Sequence, residues 1–181
     1  SVDELADLAR ASRTGLVGRF RLGVIPTVAP YLLPSIVSAL DRHHAGLDLR
    51  VRETQTPRLI ADLTEGRLDA AIVALPVSEP ALTEVALFRE DFVLVRPAAE
   101  ADLPVPSGEA LGTMRLLLLE EGHCFRDQAL AFCAMTARPR EILDGSSLST
   151  LVHMVSAGFG VTLIPDMAVP VETRSAAVAV A

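Results

Sequence analysis

The strongest constraint on this chain is an order of elements that occurs twice. Residues 20–25 read as a strand ending at Pro26-Thr27, and a helix is expected over about residues 29–40, with Pro30 tolerable in its first turn and Pro34 implying a bend. Residues 47–53 alternate Leu47, Leu49 and Val51 with Asp48, Arg50 and Arg52, the pattern of a half-buried strand. Thr56-Pro57 reads as an N-cap with Pro at the first helical position, opening a helix through Leu63 that stops near Gly66, and residues 68–75 read as a continuous buried strand. The order then recurs, with a strand at 115–119, a helix at 125–135, a short strand at 141–143, a helix at 147–157 ending at Gly158, and a strand at 161–164. Strand, helix, strand, helix, strand requires parallel sheets with crossover helices. The expectation is a two-lobed α/β protein whose lobes are joined by crossing strands at 85–87 and 92–95. Residues 97–113, rich in Pro, Gly and Ala, are expected to be a loop with one helical turn, and residues 171–181 trail off without a clear partner.

Composition enters where it excludes classes of function. Half of the 181 residues are hydrophobic, enough for one sizeable core or two small ones. No run of about 18 apolar residues exists to span a bilayer, and the N-terminal residues lack the basic-then-apolar pattern of a signal peptide, so a cytoplasmic location without a membrane partner is the default. There a cysteine pair is more often reduced, reactive or redox-sensing than a staple. The formal net charge is −7 and every basic residue is Arg. Arg50 and Arg52 are the nearest approach to a basic patch, too sparse for a duplex-binding surface. No Cys-x-x-Cys occurs and His43, His44 and His153 fall in unrelated elements, so neither a metal nor a cofactor is expected.

Ligands of such folds sit at the carboxyl ends of strands, against helix N-termini. Four corners are therefore candidates: Thr27, Thr56, Gly122 to Cys124, and Ser146-Ser147. Plain capping accounts for any one Thr or Ser at a helix start, and it is their shared end of the lobes that raises the functional reading. The third corner is distinctive because Cys124 and Cys133, the two cysteines of the chain, fall in one short segment. A thiol at a helix start is pushed toward thiolate by unpaired N–H groups. His123 and Arg126 add to that push, and Glu120, Glu121 and Asp127 oppose it. If one helix ran through both cysteines, nine steps at about 1.5 Å would part them by roughly 13 Å and turn them to opposite sides. A disulfide needs Cα atoms within roughly 7 Å. A Cys124–Cys133 bond would thus require that helix to melt. Alternatively, both thiols are small buried hydrophobes, with Cys133 facing the core beside Phe132.

Gly23-Val24-Ile25-Pro26 with a helix behind it, Leu63-Thr64-Glu65-Gly66-Arg67-Leu68-Asp69-Ala70-Ala71-Ile72, and the stretch from Leu151 through Gly158-Phe159-Gly160 to Pro165 together resemble the effector-binding domain of LysR-type transcriptional regulators. Within that family, Leu119-Glu120-Glu121-Gly122-His123-Cys124-Phe125-Arg126-Asp127-Gln128 with Cys133 behind it resembles the peroxide-sensing, OxyR-type branch. The match runs over about residues 15–170. It implies two Rossmann-like lobes in a periplasmic-binding-protein-like arrangement. It further implies that hydrogen peroxide oxidises Cys124 to a sulfenic acid which Cys133 resolves as a disulfide. Thr27, Thr56, His123 and Arg126 stand where that branch has its peroxide pocket and activating residues, with Gly122 and Ser147 as further ligand-binding positions and His123 available to pass a proton to the leaving hydroxide. Refolding would change the geometry of a homodimer or homotetramer. DNA would be held only through an N-terminal winged helix-turn-helix absent from this sequence, and RNA polymerase would be met by the full-length protein. On this scheme residues 1–13 are the end of a linker helix, residues 14–88 are lobe I without its C-terminal return elements, and residues 89–181 are lobe II with the cysteine pair.

Two other readings stand beside it. Thr27, Thr56, Ser146 and Ser147 would suit a small organic anion in the cleft, with the thiols idle. An enzyme is the other: a cysteine phosphatase would want Arg where Leu130 stands, whereas a thiol peroxidase would show multiple turnover with an added reductant.

Overall fold

The structure, a computed structural model, describes residues 17–133 and 144–181. The expected linker end at 1–13, the last turn of the cysteine helix and the strand at 141–143 lie outside the described residues.

Lobe I contains β1 (Gly18–Val24), α1 (Ala29–His43), β2 (Leu47–Glu53), α2 (Thr56–Thr64) and β3 (Ala70–Ile72). Its sheet is parallel with order β2-β1-β3. The central strand is the buried one, Leu22 and Val24 being shut off from water, and α2 packs on it through Leu59. Gly23 permits that approach: a Cβ there would lie 2.5 Å from Leu59 Cδ2 and 2.7 Å from Leu68 Cδ1. Arg21 fastens the start of β3 by donating to both carboxylate oxygens of Asp69 and to the Gly66 carbonyl.

Three expectations for this half change. β2 is an edge strand with β1 as its one partner, so Leu47 and Leu49 are half-buried and Val51 is exposed. The strand expected over 68–75 narrows to β3, because β1 is its partner and ends at Val24, opposite Ile72, leaving no ladder for Val73 onward. Residues 85–87 are not a strand, and Val85 and Leu87 are 68% and 67% exposed on the connection between lobes.

Lobe II contains β4 (Phe92–Pro97), α3 (Gly108–Leu111), β5 (Leu116–Leu119), α4 (Cys124–Phe132), β6 (Asp144–Gly145), α5 (Leu148–Ser156), β7 (Val161–Pro165), α6 (Val169–Glu172) and β8 (Val178–Val180). The sheet order is β6-β5-β7-β4-β8. Its parallel part, β6-β5-β7, repeats the β2-β1-β3 order of lobe I, and β4 and β8 add antiparallel strands on the β7 side. The C-terminal stretch therefore does have a partner, contrary to expectation: β8 pairs with β4, and Leu94 and Ala181 exchange backbone hydrogen bonds at 2.9 and 3.0 Å. Three residues are too short to show a period, whereas the edge of β4 carries N–H and C=O groups that need partners.

The main core surrounds β5, whose four leucines are all buried, with Val95, Leu151, Val152, Val155 and Ile164 about them. A strand covered on both faces reads as a continuous apolar run, which is why β5 is legible in the sequence. Replacing Leu117, 1% exposed, by Ala should cost about 2–5 kcal/mol of stability in urea unfolding. Val51→Ala, at an exposed position of the edge strand β2, should change stability by less than about 0.5 kcal/mol.

Candidate functional site

The repeated topology puts equivalent corners of the two lobes opposite each other. Thr27 follows β1 and His123-Cys124 follow β5, the middle strand of the three parallel strands in each case; Thr56 follows β2 and Ser147 follows β6. Between the lobes lies a cleft of about 240 Å³. Pro26, Thr27, Pro30, Tyr31 and Glu53 line it from lobe I, and Leu119, His123, residues 146–149 and Glu172 line it from lobe II. The Tyr31 hydroxyl closes one side by donating to Glu172 Oε1 at 2.6 Å, and burial together with this bond holds the phenol protonated well above its ordinary range.

His123 is 5% exposed, with Nε2 3.9 Å from Glu120 Oε1. Burial lowers its pKa and Glu120 only partly opposes this, so the ring is neutral at neutral pH. Ser147 is the N-cap of α5: its Oγ accepts from the Thr150 N–H at 3.2 Å, as plain capping predicts. Thr56 is not an N-cap. That position belongs to Gln55, whose carbonyl accepts from the Arg58 and Leu59 amides, while Thr56 and Pro57 occupy the first turn, where no intrahelical acceptor exists and Pro forfeits no helix bond by lacking an N–H. The Thr56 hydroxyl is buried and has no hydrogen-bond partner among the described residues.

Cys124 is the first residue of α4 and packs, half-buried, against the lobe I cluster of Ile25, Leu59 and Leu68. Cys133 is the C-cap, 2% exposed within the lobe II core, and burial raises its thiol pKa. Both thiols are free. The helix between them is unbroken, so the rise of about 1.5 Å per residue keeps the sulfurs beyond disulfide reach. Each cysteine belongs to a different core.

α4 itself is weakly held. His123 makes no side-chain cap bond, and of nine residues only Phe125, Arg126 and Ala129 are buried. Phe125 anchors it through an edge-on contact with Phe92, ring centroids 4.6 Å apart. Arg126 turns back and donates from Nη1 to the Leu119 carbonyl at 2.7 Å, satisfying the end of β5. Gly122 turns the chain into the helix with φ +95°, a conformation open to glycine.

Of the residues picked out by sequence, Thr27, His123 and Ser147 line the cleft together, whereas Thr56, Gly122, Cys124 and Arg126 lie outside its wall. Sequence reasoning missed Tyr31, Glu53, Gln55 and Glu172. Tyr31 had a usable signal, being the one tyrosine in the chain and amphipathic. Glu172 had none, since it falls in the stretch that showed no partner. Among the described residues no group of three or more His, Cys, Asp or Glu could hold a metal ion, and no helix is long and apolar enough to cross a membrane.

Two Rossmann-like lobes with a ligand-sized cleft between the carboxyl ends of their sheets define a periplasmic-binding-protein-like effector domain. The LysR substrate binding domain matches residues 13–181, and the chain belongs to that family. A probable hydrogen peroxide-inducible genes activator of Streptomyces viridosporus is 47% identical over 177 residues, covering 95% of this chain and 56% of that protein. The DNA-binding transcriptional dual regulator OxyR of Escherichia coli is 39% identical over 178 residues, covering 96% of this chain and 58% of that protein. Among solved structures, a hydrogen peroxide-bound cysteine-to-serine mutant of Corynebacterium glutamicum OxyR superposes with TM-score 0.87 at 34% identity, over 99% of this chain and 58% of that one. A reduced form of OxyR from N. meningitidis gives TM-score 0.80 at 35% identity, over 90% and 78%. The chain thus spans little more than half the length of the curated relatives it matches.

The depressed pKa of His123 carries a pH signature. Below the ordinary histidine value of about 6.5 the unfolded chain binds a proton that the folded chain refuses, so stability falls as pH drops through that region. Thermal unfolding between about pH 5 and pH 7 should show a flatter dependence in His123→Gln than in the parent. An equal slope would mean that His123 is not desolvated.

Proposed function

We propose that this chain is the regulatory domain of a peroxide-responsive bacterial transcriptional regulator. The observation that carries the reading is the pair of free thiols at the two ends of one weakly held helix, each packed in a different core. In the first step the Cys124 sulfur attacks one oxygen of hydrogen peroxide and the O–O bond breaks. The thiol becomes a sulfenic acid, and the departing hydroxide takes a proton and leaves as water. The neutral imidazole of His123, the residue before Cys124, relays that proton, while Thr27, Thr56, Gly122, Arg126 and Ser147 shape and orient the approach. In the second step α4 unwinds, the Cys133 thiol displaces the sulfenic hydroxyl, and a disulfide forms with release of a second water. Cysteine is oxidised and peroxide reduced, and the domain acts as a stoichiometric sensor; multiple turnover with an added reductant would instead mark a thiol peroxidase.

Unwinding removes Phe125, Ala129 and Cys133 from the lobe II core, so the lobe surface must repack. In the whole protein this would alter a homodimer or homotetramer, and through it a winged helix-turn-helix on DNA and contact with RNA polymerase in the cytoplasm. The organic-anion reading gains no support from the cleft, whose walls carry the carboxylates of Glu53 and Glu172 and, among the described residues, no Arg. A neutral oxidant such as hydrogen peroxide meets no such repulsion.

The test is intact-mass and sulfenic-acid trapping analysis after a brief stoichiometric peroxide pulse. The parent should lose two hydrogens, Cys133→Ser should stop at a trappable sulfenic acid on Cys124, and Cys124→Ser should not respond. Equal peroxide reactivity in Cys124→Ser would overturn the assignment. In the reduced parent, iodoacetamide should label half-exposed Cys124 well before buried Cys133.

A further inference from the structure

Gln55 occupies a position that its own chemistry does not explain. It is the N-cap of α2, where Ser, Thr, Asp or Asn would satisfy a free amide, yet its side chain makes no capping bond. The carboxamide instead crosses to lobe II. Its Nε2 donates to the Glu121 carbonyl at 3.3 Å. Its plane lies against Gly122, where an added Cβ would meet Oε1 at 2.5 Å, Cδ at 2.9 Å and Nε2 at 3.3 Å. The backbone that carries it is fixed, because the Gln55 carbonyl takes the Arg58 and Leu59 amides at 3.1 and 3.2 Å. One turn further along the same helix, Leu59 packs in the cluster that receives Cys124. A single lobe I helix start therefore supplies both the amide that holds residues 121–122 and the apolar wall behind the thiol.

We infer that Gln55 is a positioning residue for the thiol switch, its carboxamide pinning the Glu121-Gly122 turn to lobe I so that α4 begins there and Cys124 stays apart from Cys133. The inference rests on the peroxide-sensor reading above and adds a residue to it. The contact is made with α4 formed; disulfide formation requires α4 to unwind, and on this proposal the turn then leaves Gln55. Loss of an interaction made in one of two states moves the balance toward the other. Removing the carboxamide therefore favours the disulfide.

The experiment equilibrates this chain with dithiothreitol, the disulfide having first been made with diamide so that no step depends on peroxide. Dithiothreitol gives two electrons and two protons to the Cys124–Cys133 bond and closes to its own cyclic disulfide. Gln55→Ala should shift this equilibrium toward the protein disulfide by roughly 3- to 10-fold, the size of one ordinary hydrogen bond. Gln55→Met, which keeps the volume and loses the donor, should move it in the same direction. Melting temperature should fall for the reduced form of both variants and stay unchanged for the disulfide form, which a general packing defect would not produce. Gly122→Ala should destabilise the reduced form through strain at φ +95° and through the clash with Gln55. In a Gln55→Ala background only the strain remains, so the double variant should lose less than the sum of the singles. An unmoved thiol equilibrium with equal loss of melting temperature in both redox forms would overturn the role of Gln55, as would strict additivity with Gly122→Ala. A parent that forms the disulfide with diamide but not with peroxide would instead sink the sensor reading and leave Gln55 to be judged on these shifts; no disulfide with either oxidant would end both.

Discussion

Burial of β5 is the constraint on which the second lobe and its thiols depend. Four consecutive leucines lose contact with water there, between α5 on one side and the strands and helices about them. Each contributes about 1.5–3 kcal/mol relative to exposure, a large part of the margin by which a domain of this size stays folded. The carboxyl end of that strand is thereby held in the lobe II core, with Leu119 at the cleft wall. His123 and Cys124 follow it by only a short turn, and Arg126 reaches back to close the Leu119 carbonyl. The segment that carries Cys124 buries little of itself but follows directly on the buried strand β5.

That contrast is what a switch requires. α4 is short, lacks a side-chain cap and buries little, and a helix of nine residues has small stability of its own. Its tertiary contacts divide between two cores, with Cys124 against Leu59 in one and Phe125, Ala129 and Cys133 in the other. Separation of the thiols is therefore a property of the packed state alone. On the proposed mechanism, local unfolding of this helix would bring them within reach while the leucine strand stays folded, since cooperative units of differing stability open independently.

The cleft is shaped by the same repeat that builds the lobes. Since β1 and β5 are the middle strands of equivalent parallel trios, their first corners meet across it, and Thr27 faces the side that carries His123. Its polar character is set by Glu53, Glu172 and the Tyr31 hydroxyl. Carboxylates with no balancing Arg among the described residues of the wall disfavour anions, while a protonated phenol bonded to Glu172 ties one lobe to the other.

The sequence alone determined the twice-repeated order of strands and helices, the buried identity of β5, the placement of Cys124 at a helix start, and the impossibility of a disulfide within an intact helix. These are consequences of local periodicity, turn chemistry and helix geometry, each written in a few neighbouring residues. Tertiary structure alone decided that Tyr31 meets Glu172 across 141 positions, that Gln55 leaves its own helix start for the Glu121 carbonyl, that the last strand pairs with β4, and that 68–75 is a strand only as far as β1 offers a ladder. No local pattern encodes those, because they depend on which distant backbone and side-chain groups arrive unpaired at the same place once the two lobes have folded.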